Sequence, residues 1–89
     1  MDERPIDARL TAYVTELFAP EDIVLQGIRA RQEQLGLPPI NISADEGKLL
    51  QVLLRTVGAR RVLEIGALAG YSGVWLGRVL PEDGSLTTI

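Results

Sequence analysis

The stretch VLEIGALAGYS, residues 62–72, decides the fold of this chain. Its first four residues are mostly aliphatic and end at Gly66, which predicts a short buried strand. Gly66 and Gly70 then mark a turn, and a helix is expected to begin near Ser72. A strand, a glycine-rich turn and a helix in this order open a βαβ unit, where ligands bind at the carboxyl end of the strand.

The segments on either side extend this pattern. Ser43 and Glu46 have the spacing of a capping box, and the helix after them is expected to end at Gly58 and to bury its apolar residues Leu49, Leu50, Leu53, Leu54 and Val57. Residues 74–80 predict another helix, stopped by Pro81, and residues 85–89 predict a second strand. The predicted fold class is α/β, with helices followed by the first β-α-β unit of a parallel sheet.

The first 41 residues predict a helical segment. Residues 6–18 form an amphipathic pattern whose apolar stripe is expected to be buried: Ile6, Leu10, Tyr13, Val14, Leu17 and Phe18. Pro20 suits the first turn of a second helix, with acidic residues beside it. Gly36 is a plausible stop for that helix. Residues 36–42 then form an extended connector, which divides the chain into 1–41 and 42–89.

A parallel strand pair is not stable without further strands and cover on both faces. We therefore expect residues 1–89 to be the N-terminal portion of a single, longer domain. A compact 89-residue α/β protein is the alternative.

Composition excludes several classes of site. The chain has 89 residues, 46% of them hydrophobic, and nine basic against twelve acidic residues give a net charge of −3. Cysteine and histidine are absent, so thiolate metal sites and histidine-based triads are excluded. No apolar run approaches the roughly 20 residues of a membrane span, and no signal peptide is recognised. We expect a cytoplasmic protein that does not bind membranes, and the acidic balance disfavours nucleic acid.

The glycine turn does not match the phosphate-binding motifs. A dinucleotide fingerprint needs glycine at position 68, which is leucine, and a P-loop needs Gly-Lys where Tyr71 and Ser72 stand. Glu64, two residues before Gly66, would repel a pyrophosphate but suits a cationic ligand. S-adenosylmethionine (SAM) has a sulfonium, an ammonium and no phosphate, so it fits this turn better. Glycines that only shape a turn, and a solvated glutamate, are the structural alternative.

Two segments then resemble a known family, the class I SAM-dependent O-methyltransferases of the caffeoyl-CoA and catechol O-methyltransferase type. These are residues 42–50, ISADEGKLL, and residues 63–73, LEIGALAGYSG; the turn at residues 81–84 is also similar. The resemblance covers about half of the chain, residues 42–89. It implies a Rossmann-like SAM-dependent methyltransferase fold.

The resemblance also implies roles for seven residues. Ile42 would contact the methionine portion of the cofactor, and Glu64 would be the acid near its amino group. Gly66, Ala67 and Leu68 would form a backbone wall against the ligand. Tyr71 and Ser72 would begin the helix and close over the methionine carboxylate. Three of them have structural alternatives: Ile42 as a core anchor, Tyr71 as a packing residue and Ser72 as an N-cap.

The implied reaction is methyl transfer to a hydroxyl of a small phenolic, catechol-like acceptor. The resemblance implies a divalent metal such as Mg²⁺, with ligands beyond residue 89, and a homodimer. An acid for the ribose hydroxyls is expected near position 90. The 89 residues alone are not expected to be active, and no catalytic residue is assigned. The alternatives are a relative that methylates a tRNA hydroxyuridine, a non-catalytic fragment that serves oligomerisation or SAM binding, and a dinucleotide-dependent oxidoreductase.

Overall fold

The computed structural model describes residues 7–89, so the predicted helical start at Ile6 lies outside it. The elements follow in the predicted order, which confirms the α/β assignment: α1 (Ala8–Phe18), α2 (Ile23–Gln34), α3 (Ala44–Val57), β1 (Arg61–Glu64), α4 (Tyr71–Gly77) and β2 (Ser85–Thr88).

The two strands form a parallel pair joined through α4. Arg61 lies opposite Ser85 and Glu64 opposite Thr88. The Ile89 amide donates to the Glu64 carbonyl at 2.9 Å. Because the strands are parallel, their carboxyl ends meet at one edge of the sheet, and the glycine turn leaves β1 at that edge.

The ends of α2 follow from its capping residues. Asp22 is the N-cap, and its carboxylate accepts from the Leu25 amide at 3.0 Å. The prediction that Pro20 lies in the first turn is therefore wrong, because the aspartate caps the helix two residues later. At the other end, Gly36 has φ +69° and the Leu37 amide donates to the Gln32 carbonyl. This Schellman pattern confirms Gly36 as the stop.

The predicted capping box of α3 is confirmed. The Ser43 amide donates to the Glu46 carboxylate at 2.9 Å, and the Glu46 amide donates to the Ser43 hydroxyl at 3.4 Å. Gly58 closes the helix in the left-handed conformation, as expected. The helix therefore starts and stops at signals that lie within its own sequence.

Helix α4 begins near Ser72, as predicted, but ends earlier than predicted. It begins at Tyr71, directly after a left-handed Gly70, and it ends at Gly77. Val79 and Leu80, predicted to be helical, lie in a tight turn in which their amides bond carbonyls three residues back. Such tightening is common where a helix runs out before a proline.

The core lies among the helices rather than on the sheet. Its buried residues are Ala19, Leu25, Ala44, Tyr71 and Trp75, with Ile28, Ile42 and Val74 packed against them. A side chain at Gly47 would meet the Trp75 ring at 2.6 Å, so α3 and α4 pack closely because this position is glycine.

Three predictions of burial are wrong for the described residues. The α1 stripe is exposed, with 62% of Phe18 accessible. On α3 the buried residues are Ala44, Gly47 and Gln51, whereas Leu49, Leu53 and Val57 are exposed. On β1, Leu63 is 62% exposed. Helices α1 and α3 contact each other, but the contacts within residues 7–89 leave these side chains uncovered.

Candidate functional site

A cleft of about 350 Å³ lies between the connector that precedes α3 and the glycine turn that follows β1. Six of the seven predicted site residues line it, and they are joined by Ile40 and Asn41, which were not predicted: the full lining is Ile40, Asn41, Ile42, Gly66, Ala67, Leu68, Tyr71 and Ser72. Glu64 is the one predicted residue outside the lining. Two segments distant in sequence thus form opposite walls of one cleft.

The backbone of the turn explains its glycines. Gly66 has φ +99° and Gly70 has φ +84°, values that residues with a side chain rarely adopt. A Cβ built on Gly66 would have no heavy atom within 4 Å. The glycine is therefore required by its backbone angle, and the space beside it is open.

Leu68 is the only described residue other than glycine with a positive φ, at +46°. It lies in a turn closed by the Gly70 amide, which donates to the Ala67 carbonyl at 2.9 Å. The left-handed conformation costs a non-glycine residue roughly 1–2 kcal/mol. Strain of this kind is concentrated at ligand-binding sites, and here it accompanies an apolar side chain on the cleft wall.

Glu64 lies behind the cleft at the end of β1. Its carboxylate accepts hydrogen bonds from the Ser72 hydroxyl and from the Thr88 hydroxyl, the latter at 2.9 Å. Ser72 itself lines the cleft. Ser72 is not the N-cap of α4, a position taken by Gly70, so that alternative is wrong. Its hydroxyl instead connects the Glu64 carboxylate with the cleft.

Tyr71 has its ring in the core, with 2% of the residue exposed. Its hydroxyl donates to Glu21 and accepts from Arg29 at 3.1 Å, and the Arg29 guanidinium lies 4.6 Å from the ring centroid. Burial, and then the hydrogen bond to Glu21, raise the pKa of the Tyr71 hydroxyl. The side chain thus has the packing role, while the start of α4 faces the cleft.

Arg29 completes this group. Burial lowers the pKa of its guanidinium, but the hydrogen bonds to Glu21 and to Tyr71 outweigh burial, so the net shift is upward. The Arg29–Glu21 contact is 2.6 Å long. The group holds the start of α4 against α2.

Sequence reasoning missed four residues here. Ile40 and Asn41 could have been found because they directly precede Ile42. Glu21 and Arg29 left no such signal, because their partner Tyr71 lies 50 and 42 positions away along the chain. A contact of that separation depends on the tertiary fold.

Within residues 7–89, no three metal-ligating side chains come together, and no helix has the length and hydropathy to cross a bilayer. The residues present do not form a metal site, so no step through a metal is derived.

Comparison with known proteins then identifies the family. Residues 15–89 match the O-methyltransferase family. The chain belongs to this family. It is 39% identical over 77 residues to a catechol O-methyltransferase of Niastella koreensis, covering 86% of this chain and 35% of that protein. It is 36% identical to a catechol O-methyltransferase of Mycobacterium tuberculosis, and the match covers 100% of this chain and 40% of that protein.

Solved structures of O-methyltransferases have the same fold. TomG from Streptomyces achromogenes, in complex with SAM, superposes with a TM-score of 0.87 at 41% identity, over 99% of this chain and 40% of TomG. The O-methyltransferase of Bacillus cereus, in complex with SAH, gives a TM-score of 0.85 at 38% identity, and the match covers 90% of this chain and 36% of that protein. The chain therefore has the Rossmann-like methyltransferase fold and spans about 35–40% of the length of these relatives.

Proposed function

We propose that this protein is a SAM-dependent O-methyltransferase and that its cleft binds the methionine half of SAM. The observation that carries the proposal is the convergence of six sequence-predicted residues on one cleft at the carboxyl end of β1. Family membership also supports it. The TomG and Bacillus cereus structures contain SAM and SAH respectively.

The chemistry of the cleft suits this ligand. Ile40, Ile42 and Leu68 give apolar walls, which suit the methylene groups of the methionine arm and exclude water. Glu64 supplies negative charge one hydrogen bond behind Ser72, near the expected position of the cofactor's ammonium. The Gly66 backbone leaves open space for close approach. SAM carries no phosphate, so no lysine or arginine is needed in the cleft.

Bound SAM supplies an electrophilic methyl group on its sulfonium. The chain's own contribution is binding and orientation: the two walls hold the methionine arm so that the methyl faces an acceptor, and fixing this geometry is a large part of catalysis in such transfers. We assign no general base within residues 7–89.

The acceptor in this proposal is a small phenol of the catechol type. The names of two relatives, both catechol O-methyltransferases, support this acceptor. Metal assistance and a homodimer are further parts of the proposal. Radiolabelled SAM with catechol, in the presence and absence of Mg²⁺, tests acceptor and metal in the full-length protein, with tRNA that carries hydroxyuridine as the competing acceptor. Label appearing in tRNA and not in catechol would overturn the phenolic acceptor.

Calorimetry tests the cofactor. SAM titrated into the protein should give saturable one-site binding, whereas NAD⁺ should give none because nothing in the cleft complements its pyrophosphate. Binding of NAD⁺ alone, or of neither molecule, would overturn the proposal.

A further inference from the structure

The connector between α2 and α3 is tied to one side chain, that of Gln32. Its Nε2 donates to the Pro38 carbonyl at 2.6 Å and to the Asn41 Oδ1 at 3.0 Å, and its Oε1 accepts from the Asn41 Nδ2 at 2.7 Å. The Gln32 main-chain carbonyl also accepts from the Leu37 amide at 3.0 Å. Four hydrogen bonds therefore join this one residue to the connector.

Few other hydrogen bonds fix the path of the connector, whose last residue, Ile42, packs against the core. Pro38 and Pro39 have no amide hydrogen, and within residues 7–89 the further main-chain bond inside the connector is from the Ile40 amide to the Pro38 carbonyl, at 2.9 Å. Gln32 is 4% exposed. A buried amide with both ends bonded holds its partners firmly, because an unpaired buried polar group is costly.

We propose that Gln32 is a positioning residue of the cofactor cleft. Asn41 lies between Ile40 and Ile42, and all three line the cleft wall opposite the glycine turn. The paired amides of Gln32 and Asn41 set the position of this wall and thereby the width of the cleft. Gln32 does not line the cleft, so it acts through Asn41. This inference rests on the proposed function, since it concerns how well the cleft binds SAM.

The chain offers a matched control. Gln51 on α3 is also buried, at 7% exposed, and its Nε2 donates to a main-chain carbonyl, that of Trp75, at 2.8 Å. It does not line the cleft. Gln32→Met and Gln51→Met therefore remove the same chemical group from two buried sites, of which one supports the cleft wall.

The experiment measures SAM affinity by calorimetry and thermal stability by the fluorescence of the single tryptophan, Trp75, in both variants and in wild type. Both variants should melt earlier than wild type. Gln32→Met should weaken SAM binding about tenfold, the equivalent of one lost hydrogen bond, whereas Gln51→Met should bind as wild type does. If Gln32→Met does not fold, Asn41→Ala removes the amide pair while Gln32 keeps its bond to Pro38.

A double variant separates positioning from general stability. Asn41→Ala should cost less affinity in Gln32→Met than it costs in wild type, because in Gln32→Met the amide pair is already broken and the loss that remains is that of the Asn41 side chain from the cleft wall. Equal affinity losses in Gln32→Met and Gln51→Met, or undiminished SAM binding in Gln32→Met, would overturn the positioning role while leaving the proposed function intact. Absence of SAM binding in wild type would overturn the proposed function and this inference with it.

Discussion

Gly66 and Gly58 have the same backbone requirement but different surroundings. Both have positive φ angles, +99° and +65°, and a Cβ on either would meet nothing within 4 Å. Only Gly66 lines the cleft. This pair of glycines allows the cost of backbone strain to be measured separately from the cost of filling the cleft.

Gly66→Ala and Gly58→Ala should each lower the free energy of unfolding by about 1–2 kcal/mol, because alanine is strained at positive φ. Gly66→Ala should also weaken SAM binding at least tenfold, because its methyl group projects into the cleft, whereas Gly58→Ala should not. Denaturant unfolding and calorimetry give the two quantities. Equal SAM affinity in the two variants would remove Gly66 from the site.

Gly47 is required for a different reason, its close approach to Trp75. Gly47→Ala places a Cβ 2.6 Å from the indole ring and should destabilise the protein by roughly 1–3 kcal/mol. Gly27→Ala is the control, since it lies on α2 with no atom within 4 Å, and it should stabilise by up to about 1 kcal/mol. The tryptophan-monitored melting temperatures should move in opposite directions; a shift in the same direction would contradict the packing argument.

At the scale of elements, the capping box of α3 makes stability depend on pH. Hydrogen bonds, first from the Ser43 amide and then from its hydroxyl, lower the pKa of Glu46 below its ordinary value of 4.5. A carboxylate whose pKa is lower in the folded state than in the unfolded state stabilises the fold, and this contribution is complete at pH values above the unfolded-state pKa. That contribution is lost as the pH falls below 4.5 through the folded value.

Glu46→Gln should therefore reduce the loss of stability on acidification below pH 4.5, because the amide keeps an oxygen acceptor for the Ser43 amide but has no charge to titrate. Glu16→Gln, on the exposed face of α1, is the control for the loss of a surface carboxylate. Thermal melts across this pH range are the measurement. Parallel pH profiles for wild type and Glu46→Gln would contradict the role of the capping carboxylate.

At the scale of the whole molecule, a buried polar group joins the N-terminal helices to the βαβ unit. Tyr71 is the first residue of α4. Its hydroxyl is hydrogen-bonded to Glu21, which precedes α2, and to Arg29, which lies within α2. A second link is the ion pair between Arg78 and Asp22, at 2.6 Å. Tyr71 therefore couples the two segments across the core.

Tyr71→Phe should lower the free energy of unfolding by about 1–3 kcal/mol, since Glu21 and Arg29 lose a partly buried partner. Tyr13→Phe is the control, because Tyr13 is 61% exposed on α1, and its effect should be within about 0.5 kcal/mol. Urea unfolding followed by Trp75 fluorescence measures both. A neutral Tyr71→Phe would show that the hydroxyl does not contribute to joining the segments.

The variants Tyr71→Phe and Tyr13→Phe also test an effect of Tyr71 on stability at alkaline pH. The pKa of Tyr71 is raised above 10.0 by burial and by its hydrogen bond to Glu21. The stability that the Tyr71 hydroxyl contributes is therefore complete below pH 10 and is lost as the pH rises through the pKa of the folded state. Tyr71→Phe should lose less stability than wild type between pH 9 and 11, with Tyr13→Phe measured alongside as the control for the loss of an exposed tyrosine hydroxyl. Melting temperatures across this range decide it.

Much of this protein was determined by its sequence alone, and the reason is locality. The Ser43–Glu46 box, the stop at Gly36 and the strand-glycine-helix order of residues 62–72 use bonds and backbone angles within a few residues, so their signals lie side by side in the chain. The seven predicted site residues followed from such a signal together with family resemblance, and six of them line one cleft.

Tertiary structure alone decided which faces are buried and which distant residues meet. Helical periodicity marked the α1 stripe for burial, and a short aliphatic run marked Leu63. Neither pattern says whether another element covers these side chains, and within the described residues they are exposed. The contacts of Tyr71 with Glu21 and of Gln51 with Trp75 span 50 and 24 positions. Such pairs depend on how the elements pack, because no local preference of the chain favours one distant partner over another.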